Sequence, residues 1–232
     1  MVAIPALPRR YHAASIWALY VVGLMPAAWY FFQASTGGMG FNPVKTFEHV
    51  IGIWALRLII VTLAITPLRD FAGINWVRYR RALGLLAFYY VVIHFMVYLL
   101  LDLRLDLSAV GGDIVKRPYI TIGFACLLLL IPLAVTSNNW SIRRLGPTWI
   151  KLHALIYLIA AGGALHYVLA VKSVTLVPFI HVALIAVLLA YRPLRKPFLK
   201  WKRGRKAPPR SGAEPAGPVR EPALRPAPDR QG

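Results

Sequence analysis

Six separate stretches of this 232-residue chain are long and apolar enough to cross a lipid bilayer, and that arrangement leaves few folds open. Each runs to roughly 20 residues, the length an α-helix needs to span the hydrocarbon core. They fall near 14–34, 47–66, 82–101, 118–136, 149–170 and 174–191. No alternating strand pattern and no internal repeat competes with them. The expected fold class is therefore all-α: an integral membrane bundle of six transmembrane helices. With only 15% charged residues against 58% hydrophobic, a soluble domain of this length is excluded. The first stretch outruns the apolar region of a cleavable signal, and no small-residue cleavage pattern follows it.

Lysine and arginine set the expected orientation, because cytoplasmic loops carry the excess of them. Arg9 and Arg10 precede the first span, the 67–81 loop holds Arg69, Arg78, Arg80 and Arg81, and the 137–148 loop holds Arg143 and Arg144. The alternate loops are poorer: Lys45, Lys172, and a 102–117 loop in which Asp102, Asp106 and Asp113 balance Arg104, Lys116 and Arg117. Both termini are expected on the cytoplasmic side. Of the 27 basic residues, 12 follow Tyr191, in a Pro- and Gly-punctuated tail. Residues 1–192 are thus expected to form the six-helix domain and 193–232 a basic, disordered tail, with its first part, to Lys206, on anionic headgroups. Nothing in that tail favours nucleic acid, which would want the charge on a folded module with aromatics.

Histidines inside the apolar zone carry the chemistry. A polar, ionisable group there costs a few kcal/mol, so it has a partner or a function. His94 sits in the third span, and His153 and His166 share the fifth. Neutral imidazole is a natural axial ligand for heme iron, and the third and fifth spans run in the same direction. His153 begins about one turn into its span, and His166 lies about 20 Å further along at 1.5 Å per residue. With the third span beginning near Val77 His94 matches His166 in height, and with it beginning at Ala82 His94 is intermediate; the expected pair is His94 with His166. At 100° per residue a spacing of thirteen leaves His153 and His166 about 140° apart. Either the helix is distorted at Gly162-Gly163, or the two histidines serve different partners. His12 and His49, the latter beside Glu48, read as interfacial, and His181 as a core histidine.

Arg57 lies in the middle of the second span and needs an internal partner: a heme propionate, or an interhelical hydrogen-bond network. The run "RYRRALG" (78–84) serves as a topology signal, and Arg80 and Arg81 are also placed to bind an anion such as a flavin phosphate. The lone Cys126 gives neither an internal disulfide nor a dithiol pair. No Gly-rich dinucleotide or nucleotide-phosphate loop is present, so any use of NAD(P)H falls to another protein.

Several short stretches, in order, carry a resemblance: "NPVK" (42–45), "TLAITPLR" (62–69), "RRALGL" (80–85), His94, "RPYITIG" (117–123), "TS" (136–137) and "LGPTWIKLHALIY" with "LHY" (145–167). Over about 190 residues the chain resembles the YedZ family, the heme-binding membrane subunits of bacterial methionine-sulfoxide reductase systems, within the ferric-reductase-like transmembrane proteins. The resemblance implies a six-helix bundle of the bacterial inner membrane holding heme b, with FMN. It implies electrons taken from quinone or a cytoplasmic flavin donor. They would pass to a periplasmic molybdenum-containing partner that reduces methionine sulfoxide in oxidised envelope proteins. By position it carries over His94, His153 and His166 as heme-iron ligands. Related oxidases and ferric reductases carry two histidines on the third helix and bind two hemes. Here arginine, Arg80 or Arg81, stands at the inner position, so a second heme would pair His153 with some other ligand. The terminal reaction is expected on the partner. The alternatives are a stand-alone transmembrane ferric or quinone reductase, and a transporter whose histidines relay protons.

Overall fold

The structure is a computed structural model that describes residues 9–171 and 176–204. Residues 1–8, 172–175 and 205–232 lie outside it, and with them Lys172 and most of the expected tail. All regular structure among the described residues is helical: α1 (His12–Ser35), α2 (Pro43–Ala72), α3 (Arg80–Met96), α4 (Leu107–Lys116), α5 (Pro118–Val135), α6 (Asn139–Leu145), α7 (Pro147–His153), α8 (Leu155–Ala170) and α9 (Leu176–Gly204). Six spans result, with α7 and α8 together forming the fifth. The chain divides into two units, 1–192 and 193–232, and the site lies in the first.

Local chemistry sets the boundaries. Asn42 caps α2, its side chain accepting from the Lys45 N–H, and Pro43 occupies the first turn, where its missing N–H costs nothing. Gly73 ends the same helix at φ 75°, a left-handed position that suits glycine. The third span starts at Val77 through a short 3₁₀ turn and finishes in a π-helical turn, Val97–Asp102. That early start is the condition under which His94 reaches the height of His166. Two segments read from sequence as loops contain helix. Asp106 caps α4 through the Ser108 and Ala109 N–H groups, and Asn138 caps α6 through that of Ser141. The last helix also continues to Gly204, past the residue where the sequence suggests the tail begins.

The distortion expected at Gly162-Gly163 is not there. Both glycines are helical within α8, and the fifth span is interrupted at Ala154 instead, one residue after His153. The glycines serve close packing: a Cβ on Gly162 would lie 2.6 Å from the Cys126 sulfur on α5.

The centre of the bundle is α2, α3, α5 and α8, with α1 packed on α2 and α3. Tyr90 of α3 is fully buried, and its hydroxyl completes a gap in α1. It accepts from the Ala27 N–H (3.2 Å) and donates to the Gly23 carbonyl (2.7 Å), beside Pro26. A proline in a membrane helix is tolerated where a neighbour re-satisfies the backbone in this way. Leu86 fills the notch at Gly23, where a Cβ would approach it to 2.2 Å. Outside this core, Trp17, Trp29, Leu158 and Val187 are exposed, the surface a bilayer would cover.

Candidate functional site

The histidines are fixed by helix backbone. His94 projects from α3 so that its Nδ1 lies 2.9 Å from the Glu48 carbonyl of α2. His166 projects from α8 with its Nδ1 2.6 Å from the Tyr119 carbonyl of α5. A carbonyl only accepts, so Nδ1 carries the proton in both rings, and each Nε2 presents a bare lone pair. That is the arrangement of a metal-ligating histidine whose other nitrogen is held by an outer hydrogen bond.

Glycine makes both contacts possible, and sequence reasoning did not foresee it. Gly52 stands four residues after Glu48, and a Cβ there would meet the His94 ring at 3.1 Å. Gly123 stands four residues after Tyr119, and a Cβ there would lie 2.7 Å from the His166 Nδ1. In each helix the bare turn lets an imidazole reach a carbonyl one turn back. The signal was in the sequence as "EHVIG" (48–52) and "YITIG" (119–123), but it has no meaning until a histidine from another helix is known to face it.

The two rings face each other with centroids 6.1 Å apart and planes 83° apart. The rings border a cavity of about 630 Å³, walled largely by apolar side chains such as Leu56, Phe95, Phe124 and Leu127. Most of its polar groups, Asn42, Lys45, Glu48, Tyr98, Arg117 and Tyr119 among them, come from the start of α2, the end of the third span and the start of α5. Among the described residues no three His, Cys, Asp or Glu side chains gather to hold a bare metal ion. Two opposed imidazoles across an apolar slot suit a flat macrocycle that brings its own in-plane ligands, which is heme.

The remaining sequence candidates lie elsewhere. His153 is at the opposite end of the bundle, stacked on Trp149 with centroids 3.8 Å apart and planes at 23°. Its Nδ1 is 3.1 Å from the Trp149 carbonyl, within its own helix, and its Nε2 is 3.4 Å from the Ser137 hydroxyl. His153 and His166 therefore serve different surroundings. Arg80 is within electrostatic range of His153, and the Arg81 guanidinium donates to the Asn139 side chain at 2.6 Å. Arg57 is exposed, its guanidinium over Trp54 at 5.3 Å, and it does not line the cavity. His49, an exposed residue near the start of α2, also borders the cavity, with its ring against Tyr167. His181 is buried, its Nδ1 2.8 Å from the Val177 carbonyl, as a core histidine should be.

Residues 51–164 match the family model of the ferric reductase like transmembrane component, a stretch that includes His94 and ends two residues before His166. Three relatives are similar over most of the chain, each named protein-methionine-sulfoxide reductase heme-binding subunit MsrQ. The one from Rhizobium meliloti (strain 1021) is 59% identical over 92% of this chain and 99% of its own length. That from Agrobacterium fabrum is 56% identical, covering 89% and 96%. That from Brucella ovis is 54% identical, covering 81% and 85%. No solved structure matches the chain.

Proposed function

Since this chain belongs to the family of protein-methionine-sulfoxide reductase heme-binding subunits, multi-pass proteins of the inner membrane, we propose that it carries electrons across that membrane through heme b held between His94 and His166. The observation that carries the reading is the opposed pair of imidazoles at 6.1 Å, each tied through Nδ1 to a carbonyl of a different helix. His94 and His166 would hold heme there, and it would supply one-electron chemistry. The chain's own part is electrostatic and mechanical. The carbonyls of Glu48 and Tyr119 fix each ring's tautomer and raise its basicity as a ligand. Apolar walls keep water from the slot and so tune the potential. His94 and His166 would both serve to hold the heme, and the terminal reaction belongs to a partner.

That partner is a periplasmic molybdenum-containing methionine-sulfoxide reductase, and the donor is quinone or a cytoplasmic flavin reductase. Both termini are cytoplasmic, which puts the His94–His166 end of the bundle outward, near the partner. His153, Arg80 and Arg81 then lie at the inner end, where electrons enter. The arginine pair is the place for an FMN phosphate, and His153 would hold a second heme only with a ligand from outside the third helix.

The test is a reduced-minus-oxidised spectrum of the purified chain with heme and flavin counted per protein. A low-spin b-type band lost in both His94→Ala and His166→Ala is expected. A normal band in either variant rejects the pairing.

A further inference from the structure

The polar end of the cavity carries two cations that the histidine pair does not use. Lys45 and Arg117 both line it, within the stretches "NPVK" and "RPYITIG". They occupy equivalent places. Lys45 precedes by three residues the carbonyl that holds His94, and Arg117 precedes by two the carbonyl that holds His166. Each stands at a helix start: Pro43 opens α2, and Arg117 is itself the cap of α5. Helix N-termini favour anions, so a cation there works against the dipole. An anion bound at the same place would offset that cost through the charge of the cation.

Carboxylates hold both cations in place without using them up. The Lys45 ammonium reaches Glu48 at 3.1 Å and Asp102 at 2.6 Å, two of its three donors. Arg117 gives Nε to Asp113 at 3.2 Å and one Nη1 to the Tyr119 hydroxyl at 3.5 Å, out of five donors. Asp113 is fixed in turn by the Tyr98 hydroxyl at 2.9 Å. The carboxylates are the more buried partners, at 17% and 24% exposure for Glu48 and Asp102 and 17% for Asp113. The cations are about half exposed, at 47% and 51%. Three carboxylates thus flank the two cations, and the cations are the more exposed member of each pair, with donors left over.

We propose that Lys45 and Arg117 are the anchoring cations for the two propionates of the heme held between His94 and His166, which seats its acidic edge toward the α4 end of the bundle. This rests on the heme reading above. Arg57, the sequence candidate for this role, is on an exposed face and does not line the cavity.

The test compares protoheme with its dimethyl ester, which keeps iron and ring but removes both negative charges. Each is titrated into the full-length, heme-depleted protein in detergent. Wild type should bind the free diacid about tenfold more tightly than the ester or better, the scale of charge-assisted hydrogen bonds. Lys45→Gln and Arg117→Gln should each narrow that ratio, and the double variant should bring it near unity, with the low-spin spectrum of bound heme kept throughout. Equal binding of diacid and ester by wild type overturns the proposal, as does an undiminished preference in the double variant. If a glutamine variant does not accumulate, Lys45→Met and Arg117→Met are read in the same way, and the wild-type comparison by itself still overturns the proposal if the two forms bind alike. A wild-type chain that binds neither form instead removes the heme reading, which the His94→Ala and His166→Ala spectra report separately.

Discussion

Gly123 lies directly against the imidazole of His166: a Cβ at that position would stand 2.7 Å from Nδ1 and 2.8 Å from Cε1. The same ring accepts its orientation from the Tyr119 carbonyl one turn earlier. A single hydrogen atom in place of a methyl group thus decides whether the ring reaches its anchor.

Gly123→Ala should displace the imidazole and weaken or abolish the low-spin heme band. Gly52→Ala should do so less, because its Cβ would meet the His94 ring at 3.1 Å and a small shift relieves it. Overpacking of this kind costs about 1–3 kcal/mol, offset in part by about 0.5–1 kcal/mol of helix propensity gained from glycine to alanine. Heme content per chain and the visible spectrum are the measurements. An unperturbed band in Gly123→Ala would remove the glycine's assigned role.

His153→Ala should leave the His94–His166 band in place. The ring stacks on Trp149 at the far end of the bundle and takes no part in the cavity. The expected stability loss is about 0.5–1.5 kcal/mol, the scale of an aromatic pair. A second b-type component that disappears in this variant would mark an inner heme, and spectra at graded potentials resolve the two.

Tyr90→Phe removes the hydroxyl that links the Ala27 N–H to the Gly23 carbonyl beside Pro26. A loss of about 1 kcal/mol follows for one net hydrogen bond. The heme spectrum should be unchanged, since Tyr90 does not line the cavity. Thermal unfolding in detergent reads the first quantity and the visible band the second.

Low pH should loosen α4 in particular. The Asp106 carboxylate caps that helix, and hydrogen bonds from the Ser108 hydroxyl and from the Ala109 and Ser108 N–H groups lower its pKa below the ordinary 3.8. A lowered folded-state value contributes stability that is present above 3.8 and lost as pH falls through the lowered value. Amide exchange across Ser108–Lys116 should accelerate in that window, and Asp106→Asn, which caps without a charge, should remove the pH dependence.

The depth of each histidine was legible because a helix rises a fixed distance per residue and the spans begin at identifiable signals. The second span, read from apolar length as 47–66, extends at both ends in the structure, where Asn42 and Pro43 open α2 and Gly73 closes it. The start of the third span was the uncertain quantity, and the 3₁₀ turn at Val77 settles it, bringing His94 beside His166. The interruption at Ala154 was not legible. Alanine is the strongest helix former, and nothing local marks it as a break. Arg57 shows the opposite failure: a charge in mid-span demands a partner, but only the packing reveals that its guanidinium lies over Trp54 on an exposed face.

By itself the sequence determined that this chain is a six-helix membrane protein and that three histidines lie in its apolar zone. Apolar length and the cost of burying an imidazole are properties of single segments, readable one at a time. Which histidines meet, which carbonyls hold them, why Gly52 and Gly123 lack side chains and which cations edge the cavity were decided only by the tertiary structure. Each of those is a relation between helices whose sequence separations run from 42 to 72 residues, as with Gly52 and His94 at one extreme and His94 and His166 at the other. Hydrophobic periodicity tells a helix which face to bury, but not which neighbour will stand against it.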